Sequence, residues 1–238
     1  MRLDKFLKVS RIIKRRPVAK LVCDNKKIKI NGKVVKSSSE VKVGDVLEIE
    51  YFNRYIKDKV VEVPQGNVGK AEAIRSAVLF TSNCDFICYY DADLATPMLE
   101  LDKLIQFSIH HPNYKFIMGA RIKLIGNGVQ RSLTRHYFGR VFATIVSQFV
   151  LKVPVYDTQC GAKVIDYKTA KQIFEQPFIS KWLFDVELLK RLQKKQNLKE
   201  VVKEIPLESW EEIGNSKIKT SDFLQIPFQL FQIYRKYD

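Results

Sequence analysis

The chain has 238 residues, of which 46% are hydrophobic and 28% charged, and its formal net charge is +15. This length and apolar content allow one large or two smaller globular domains and exclude a disordered chain. No apolar run approaches the ~20 residues of a transmembrane helix, and no signal sequence follows Met1. Four cysteines without a Cys-x-x-Cys pair predict buried, reduced thiols. We therefore expect a cytoplasmic protein, soluble or peripheral on the cytoplasmic face of the membrane.

The positive charge is concentrated near the N-terminus. Residues 1–60 contain 17 Lys and Arg against 7 Asp and Glu, whereas the rest of the chain contains 24 against 19. A basic segment of this kind favours an anionic partner. We therefore predict a small basic domain at residues 1–52 and a larger domain at residues 53–238.

The first domain is predicted to contain two short helices and a hairpin. Leu3, Phe6 and Leu7 share one helical face, and Pro17 suits the first turn of a second helix. Asn31-Gly32 supplies the pair of positive φ angles that a type I′ hairpin turn requires. The first domain is thus a small α+β domain.

Basic side chains cluster around the junction of these two helices. They are Arg2, Lys5, Arg11, Lys14, Arg15, Arg16 and Lys20. Guanidinium groups held beside a hairpin suit the phosphates of A-form RNA, so we predict that this cluster binds rRNA or tRNA. The alternative is a solvated basic face on an accessory domain.

This pattern resembles the small RNA-binding domain named after ribosomal protein S four, as found in short bacterial ribosome-associated proteins. The residues that carry the resemblance are Arg2-Leu3-Asp4-Lys5-Phe6-Leu7, Lys14-Arg15-Arg16, Ala19, Ile30-Asn31-Gly32 and Val43-Gly44-Asp45. The match covers about 50 residues.

A glycine-containing loop opens the next helix. Asn67-Val68-Gly69-Lys70 follows a predicted strand at residues 59–63. The helix after it carries an apolar side made of Ala73, Ile74, Ala77, Val78 and Phe80. Gly69 permits a tight turn, and Lys70 at the helix start could lie near a diphosphate. From the pattern alone, a solvated lysine is the simpler interpretation.

A pair of carboxylates gives the clearest chemical signal. The apolar run at residues 86–90 predicts a short buried strand that ends in Asp91 and Asp93, and Pro97 begins a new element. Carboxylates at this end of a strand lie where open α/β sheets bind ligands. Both can reach one hard cation, Mg²⁺ or Mn²⁺, and its diphosphate. The alternative is a solvated acidic turn.

Residues 132–150 form the most periodic segment. One helical arc holds Tyr137, Phe138, Val141, Phe142, Ile145, Val146 and Phe149, with Arg131 and Arg135 at its N-terminal end. Such a helix can lie on an anionic membrane surface, with its arginines against lipid phosphates. The alternative is a helix that faces the core and exposes only its first turn.

Further polar residues lie at two element boundaries. Asp157 and Lys163 follow an apolar stretch at residues 153–156. Asp185 and Glu187 lie in a segment that predicts a helix, on which they do not share a face. One of these two carboxylates can therefore face a site while the other is structural.

In this order, the motifs resemble those of family-two glycosyltransferases of the GT-A fold, in particular dolichyl- or polyprenyl-phosphate sugar transferases. The resemblance runs from about residue 55 to the C-terminus. It rests on residues 63–75, Asp91-Ala92-Asp93, Gly119-Ala120-Arg121, residues 157–163 and 184–189, Ile205-Pro206, Trp210 and Ser216-Lys217. It implies an α/β, Rossmann-like sheet with helices.

The resemblance also implies an activity. A sugar would move from a nucleotide-sugar donor to a polyprenyl phosphate, dolichyl or undecaprenyl, at the cytoplasmic membrane face. The implied roles are diphosphate binding for Lys70, Asp91, Asp93 and Arg121, metal binding for Asp91 and Asp93, catalysis for Asp93, Asp157 and Asp185, and lipid-phosphate binding for Arg131, Arg135 and Lys163. Because a lipid phosphate is already an anionic nucleophile, we expect Asp157 to be an orienting or metal-associated carboxylate rather than a proton acceptor.

The sequence departs from the resembled enzymes in its first part. Their first strand carries Pro-x-Tyr-Asn-Glu and their second ends in Asp-Asp-Gly-Ser, and neither motif occurs here. Ala162 stands where they usually have Phe. We therefore expect an incomplete GT-A sheet that lacks its first βα units and exposes an apolar edge. The alternative function is an RNA- or ribosome-binding protein that carries an inactive transferase remnant.

Overall fold

The computed structural model describes residues 1–9, 13, 16–51, 54–59, 69–91, 95–130, 133–211 and 220–238. The chain divides into two compact units, an N-terminal unit, Met1–Val63, and a C-terminal unit, Pro64–Asp238. Each has a hydrophobic core of its own.

The N-terminal unit packs two helices against a four-stranded antiparallel sheet. Its elements are α1 (Leu3–Val9), α2 (Arg16–Asp24), β1 (Ile28–Ile30), β2 (Lys33–Val34), β3 (Val46–Tyr51) and β4 (Arg54–Lys59), and the strand order is β2-β1-β3-β4. Leu3 and Leu7 are fully buried. Asn31 and Gly32 have φ of 52° and 78°, so the predicted hairpin turn is confirmed.

The division between the units falls later than the predicted boundary at residues 52/53. β4 pairs along its length with β3, from Tyr51↔Arg54 to Val46↔Lys59. The mostly polar composition of residues 54–59 does not predict a strand. The segment forms one because β3 supplies hydrogen-bonding partners along its length. Residues 60–63, which complete the strand predicted at 59–63, lie outside the described part of the chain.

The C-terminal unit is a mixed α/β domain. Its described elements are α3 (Gly69–Phe80), β5 (Phe86–Tyr89), α4 (Met98–His110), β6 (Phe116–Ala120), β7 (Gly128–Gln130), α5 (Leu133–Ile145), a π-helical segment (Val146–Leu151), β8 (Lys163–Asp166), α6 (Tyr167–Ile173), α7 (Phe184–Gln193), α8 (Leu198–Val201), β9 (Val202–Pro206), β10 (Ser209–Glu211) and α9 (Thr220–Tyr237). The main sheet has the order β5-β8-β6-β9, and β7 and β10 form a parallel pair.

Alternating side chains of the central strands fill a core on each face of this sheet. Phe116 and Met118 of β6 join the core formed by α3, α6, α7 and the π-helical segment. Ile117, between them, joins the core that contains Leu104 of α4 and Trp210. Because successive side chains of a strand point to opposite faces, helices cover both sides of the sheet.

Strand direction decides which residues meet. β5 and β6 both run antiparallel to β8, which lies between them, and β6 runs parallel to β9. The sheet therefore has one edge, running across the strands, that is formed by the C-terminal ends of β5, β6 and β9 and the N-terminal end of β8. Asp91, Arg121 and Lys163 come from three of these strand ends, so the topology brings together motifs that are far apart in the sequence.

The periodic helix at residues 133–151 divides its apolar residues between two sides. Val146 is fully buried, and Phe142 is partly buried against Trp182, with ring centroids 6.4 Å apart. Phe149, by contrast, is 66% exposed. The predicted arc therefore faces two environments: Phe142 and Val146 pack towards the core, whereas Phe138, Ile145 and Phe149 are exposed.

The state of the cysteines and the length of the helices bear on two predictions from the sequence. All four cysteines are unpaired; Cys23 and Cys160 are buried, but Cys88 is exposed, so the prediction of burial does not hold for that residue. In the part of the chain that the structure describes, no helix combines the length and the apolar character needed to cross a membrane.

Candidate functional site

The end of β5 positions an exposed ion pair. Asp91 follows this strand, and its Oδ1 lies 2.6 Å from Nζ of Lys70, at the start of α3. Burial alone would raise the pKa of the Asp91 carboxyl, but the charge and hydrogen bond of Lys70, with Lys163 and Arg121 farther away, hold that pKa below its ordinary value. Asp91 therefore stays ionised, within reach of three cations.

Gly161 makes room for the Asp91 carboxylate. A Cβ built on Gly161 would overlap both carboxylate oxygens of Asp91. The carboxylate thus lies directly against the backbone at residue 161, which only a glycine permits without a shift. The Cys-Gly pair at residues 160–161 was part of the recognised motif, and the structure supplies the reason for the glycine.

The end of β6 carries a second, more buried ion pair. Nε and Nη2 of Arg121 lie 2.7 Å and 2.8 Å from the two carboxylate oxygens of Asp157, and the Arg121 backbone N–H also donates to that carboxylate. Desolvation lowers the pKa of the guanidinium, but Asp157 raises it by more. The guanidinium also lies 5.4 Å above the ring of Trp210. Asp157 therefore holds Arg121 by three hydrogen bonds.

Glu204 holds the turn that carries Asp157. Its carboxylate accepts hydrogen bonds from the backbone N–H groups of Tyr156, at 2.8 Å, and Asp157, at 2.5 Å. Desolvation raises the pKa of Glu204, and the nearby Asp157 adds to that effect. Sequence reasoning missed this residue. The mixed sequence of β9, Val-Lys-Glu-Ile-Pro, gives no local signal for this role and does not reveal the partner 47 residues earlier.

Beneath these pairs, the buried Lys163 and Asp185 form a cluster with the partly buried Tyr89. Nζ of Lys163, 1% exposed as a residue, lies 2.7 Å from Oδ1 of Asp185 and donates to the carbonyl oxygen of Cys160 at 2.5 Å. The Tyr89 hydroxyl donates to the same Asp185 oxygen at 2.8 Å. Desolvation, reinforced by Asp185, raises the pKa of Tyr89 well above its ordinary value.

The two acidic residues of α7 have separate surroundings, as their spacing predicts. Asp185 belongs to the buried cluster just described. Glu187 is fully buried and accepts hydrogen bonds from Arg191, at 2.7 Å, and from the hydroxyl of Tyr237, at 2.8 Å. Glu187 therefore joins α7 to α9, while Asp185 lies at the candidate site.

Several predicted site residues lie outside the described part of the chain. They are Asp93, Arg131, Arg11, Lys14 and Arg15, and Arg135 is described only in its backbone. Among the residues that the structure does describe, no three His, Cys, Asp or Glu side chains lie together as a metal-binding group. Asp91 supplies one hard oxygen donor of the kind that Mg²⁺ and Mn²⁺ prefer, and the cradle at Gly161 fixes its position.

The N-terminal unit exposes four of its predicted RNA-binding residues. Arg2, Lys5, Arg16 and Lys20 are all exposed. Residues 1–47 match the family model described as the S4 domain. Over 63 residues the chain is 57% identical to the RQC P-site tRNA stabilizing factor of Streptococcus pneumoniae, which covers 26% of this chain and 72% of that protein. Through its N-terminal unit, the chain belongs to the S4-domain family.

Unlike the S4 domain, the C-terminal unit is similar to sugar transferases. The chain is 29% identical over 204 residues to a dolichyl-phosphate beta-glucosyltransferase of Trichomonas vaginalis, covering 84% of this chain and 58% of that protein. The chain thus spans little more than half the length of this relative.

Solved structures show the fold of this unit. The glucosyl-3-phosphoglycerate synthase of Mycobacterium tuberculosis, solved with Mn²⁺, UDP-glucose and phosphoglyceric acid, superposes with a TM-score of 0.52 at 14% identity, covering 70% of this chain and 55% of that one. The C-terminal unit therefore has the Rossmann-like α/β architecture of GT-A glycosyltransferases. Together with the S4 domain, this confirms the predicted fold class.

Proposed function

We propose that the C-terminal unit transfers a sugar from a nucleotide-sugar donor to a polyprenyl phosphate. The observation that carries this proposal is the meeting of Asp91–Lys70 and Arg121–Asp157 at one sheet edge, in a chain similar to dolichyl-phosphate beta-glucosyltransferases. Ligands of open α/β sheets bind at this edge. The M. tuberculosis enzyme with Mn²⁺ and UDP-glucose supports a divalent cation and a nucleotide-sugar here.

The charges fit a displacement in which a diphosphate leaves. An acceptor phosphate oxygen would form a bond to the anomeric carbon of the sugar, while the bond from that carbon to the donor diphosphate breaks. Lys70, at the start of α3, would neutralise the leaving diphosphate. Asp91 and Asp93 would hold Mg²⁺ or Mn²⁺, which supplies further charge neutralisation when bound. Asp157 would keep Arg121 oriented towards the site.

Lys163 is buried in an ion pair, although the sequence predicted that it contacts the lipid phosphate. That assignment stays a prediction. In the structure its ammonium group is buried against Asp185, so a phosphate would have to replace a close ion pair. We infer that Lys163 and Asp185 stabilise the floor of the site. Arg131 and Arg135 are then the main proposed contacts of the lipid phosphate, and Lys163 is a contact only when it leaves Asp185.

The same proposal includes a membrane surface that presents the acceptor. In residues 137–149, five apolar or aromatic side chains are exposed: Tyr137 by 64%, Phe138 by 60%, Val141 by 60%, Ile145 by 41% and Phe149 by 66%. An apolar strip of this kind beside arginines suits the boundary between head groups and acyl chains of an anionic bilayer. We therefore propose that this helix rests on the cytoplasmic face of the membrane.

Calorimetric titration of the full chain with UDP, GDP and their sugar conjugates, with and without Mn²⁺, tests the donor site. We expect one nucleotide to bind only with Mn²⁺, and Asp91→Ala to remove that binding. Asp85→Ala is the matched control, since this exposed carboxylate lies just before β5. The proposal fails if no nucleotide binds the folded protein, or if both variants bind as the wild type does.

For the N-terminal unit we propose RNA binding, supported by its S4 domain and by the name of its relative, a tRNA stabilizing factor. The full chain should bind total tRNA, with log affinity falling as log salt rises. Arg15→Ala with Arg16→Ala should reduce that slope by roughly 1–2. Equal slopes for the wild type and the double variant in a filter-binding series would contradict this assignment. RNA binding without nucleotide binding would favour the alternative of an inactive transferase remnant.

A further inference from the structure

A buried carboxylate lies between two of the exposed arginines of the N-terminal unit. Asp4, in the first turn of α1, is only 5% exposed. Its Oδ1 accepts from Nε of Arg2 at 3.2 Å, and its Oδ2 accepts from Nη2 of Arg2 at 3.1 Å and from Nε of Arg16 at 2.9 Å. Asp4 therefore joins two guanidinium groups that are 14 residues apart in the sequence.

Both arginines keep hydrogen-bonding capacity beyond this contact. Their side chains are 56% and 50% exposed, although each is tied to Asp4. A guanidinium group carries five N–H donors in a fixed plane. Within the described residues, Nη1 of Arg2 and both terminal nitrogens of Arg16 donate to no protein group. Two fixed guanidinium groups around one carboxylate also keep a net charge of about +1.

Burial alone would raise the pKa of the Asp4 carboxyl, but the hydrogen bonds and charges of Arg16 and Arg2 hold that pKa below its ordinary value. The carboxylate is therefore ionised at neutral pH. A fourth hydrogen bond comes from the backbone, because the Lys5 N–H donates to Oδ1 at 2.8 Å. The carboxylate thus has a single position, and the two arginines take theirs from it.

We propose that Asp4 is a positioning residue that holds Arg2 and Arg16 as a two-guanidinium clamp for an RNA phosphate. This inference rests on the RNA binding proposed above and adds how the basic face is organised. Side chains fixed before binding lose less entropy on contact with the ligand, and a guanidinium presents two parallel donors to a phosphate.

The clamp and simple electrostatics predict opposite effects of one substitution. Asp4→Asn removes a negative charge beside the basic cluster, so electrostatic attraction alone predicts tighter binding of tRNA. If Asp4 positions the arginines, the same substitution weakens binding, because the guanidinium groups lose their common anchor. We expect about fivefold weaker binding of total tRNA by the full chain, and a salt slope lower by about 1.

Asp24→Asn is the control for charge. It makes the same charge change in the same unit, at an exposed residue of α2. We expect it to leave binding unchanged or slightly tighter. Circular dichroism and a thermal melt of each variant identify loss of folding, and binding is compared at a temperature at which both proteins are folded.

Arg2→Lys and Arg16→Lys keep the inference testable if Asp4→Asn does not fold. Each keeps the charge but loses the planar pair of donors. The clamp therefore predicts weaker tRNA binding by these variants, whereas attraction by charge alone predicts no weakening. If Asp4→Asn folds, the double variant Asp4→Asn with Arg16→Ala completes a mutant cycle. Its loss of tRNA affinity should be smaller than the product of the two single losses, because both changes disrupt the same clamp. Wild-type-like or tighter binding by Asp4→Asn, or by both lysine variants, would overturn the clamp. No tRNA binding by the wild type would instead remove the proposed RNA function.

Discussion

At the scale of single residues, the C-terminal unit separates an exposed ion pair from a buried one. Lys70 and Asp91 have side chains 45% and 37% exposed, and a pair of this kind contributes little to stability. Lys163 and Asp185 are 1% and 4% exposed, so each needs the other's charge. The exposed pair is therefore free to exchange partners with a ligand, whereas the buried pair supports the structure beneath it.

Removing one member of the buried pair should destabilise the protein. Lys163→Met leaves the Asp185 carboxylate buried with only the Tyr89 hydroxyl, so we expect a loss of about 3–5 kcal/mol in the free energy of unfolding. Denaturant unfolding measures this loss. Lys168→Met, at an exposed lysine of α6, is the control and should change the stability by less than about 0.5 kcal/mol. Equal stability of the two variants would show that Asp185 does not depend on Lys163.

Gly161 allows a second test at this scale. Gly161→Ala places a methyl group against the Asp91 carboxylate, which must then shift from its position beside Lys70. We expect Mn²⁺-dependent nucleotide binding to weaken about tenfold or more, since a displacement of about 1 Å can cost that much at a site. Gly119→Ala is the comparison, because its added carbon would lie 2.7 Å from Leu207 in the core and should lower the melting temperature instead. A Gly161→Ala protein that binds like the wild type would remove Asp91 from the donor site.

At the scale of elements, the helix at residues 133–151 packs some of its apolar side chains against the core and exposes others. Phe142 packs against Trp182, whereas Phe149 is 66% exposed. The sequence left two interpretations open, a membrane-surface helix and a core-facing helix. The structure supports the core-facing interpretation for Phe142 and Val146, and the exposed residues support the proposed contact with lipid.

This division predicts different outcomes for neighbouring aromatics. Phe149→Ser should lower co-sedimentation with anionic phosphatidylserine vesicles by about threefold or more, because an apolar side chain no longer inserts, and should leave stability nearly unchanged. Phe142→Ala should instead cost about 1–3 kcal/mol of unfolding free energy, because this ring is partly buried against the core. Phe80→Ser is the control, since Phe80 of α3 is 60% exposed and lies outside this strip. Vesicle binding that is absent in the folded wild type would end the membrane proposal.

At the scale of the whole molecule, the chain combines an S4 domain with a transferase-like unit. Each has its own hydrophobic core. The net charge of +10 in residues 1–60 fits the proposed RNA partner. The other unit places the Lys70–Asp91 and Arg121–Asp157 ion pairs at one sheet edge. The chemistry proposed for the two units thus depends on different residues.

We therefore expect the two binding activities to be separable by mutation. Arg15→Ala with Arg16→Ala should weaken tRNA binding in the full chain and leave Mn²⁺-dependent nucleotide binding within about twofold of the wild type. Asp91→Ala should do the reverse. Calorimetry with nucleotide and filter binding with tRNA, on the same four proteins including Asp85→Ala, measure both. A variant that lowers both affinities while remaining folded would show that the two units are coupled.

The sequence by itself determined much of this picture. Local patterns were sufficient for α1, the Asn31-Gly32 turn and the strand that ends before Asp91, because helical periodicity, positive φ and apolar runs act over a few residues. The combination of motifs was sufficient for the GT-A fold class and for the S4 domain. The separation of Asp185 from Glu187 also followed from their spacing on a helix.

Only the tertiary structure decided which distant residues meet. Glu204 supports Asp157 across 47 residues, and Lys163 faces Asp185 rather than the surface, because β8 begins at the edge where β5 and β6 end. Which apolar side chains of the helix at residues 133–151 face the core, such as Val146, and which are exposed, such as Phe149, also depends on how that helix packs against other elements. These contacts arise from strand direction and packing between elements, which no local pattern encodes.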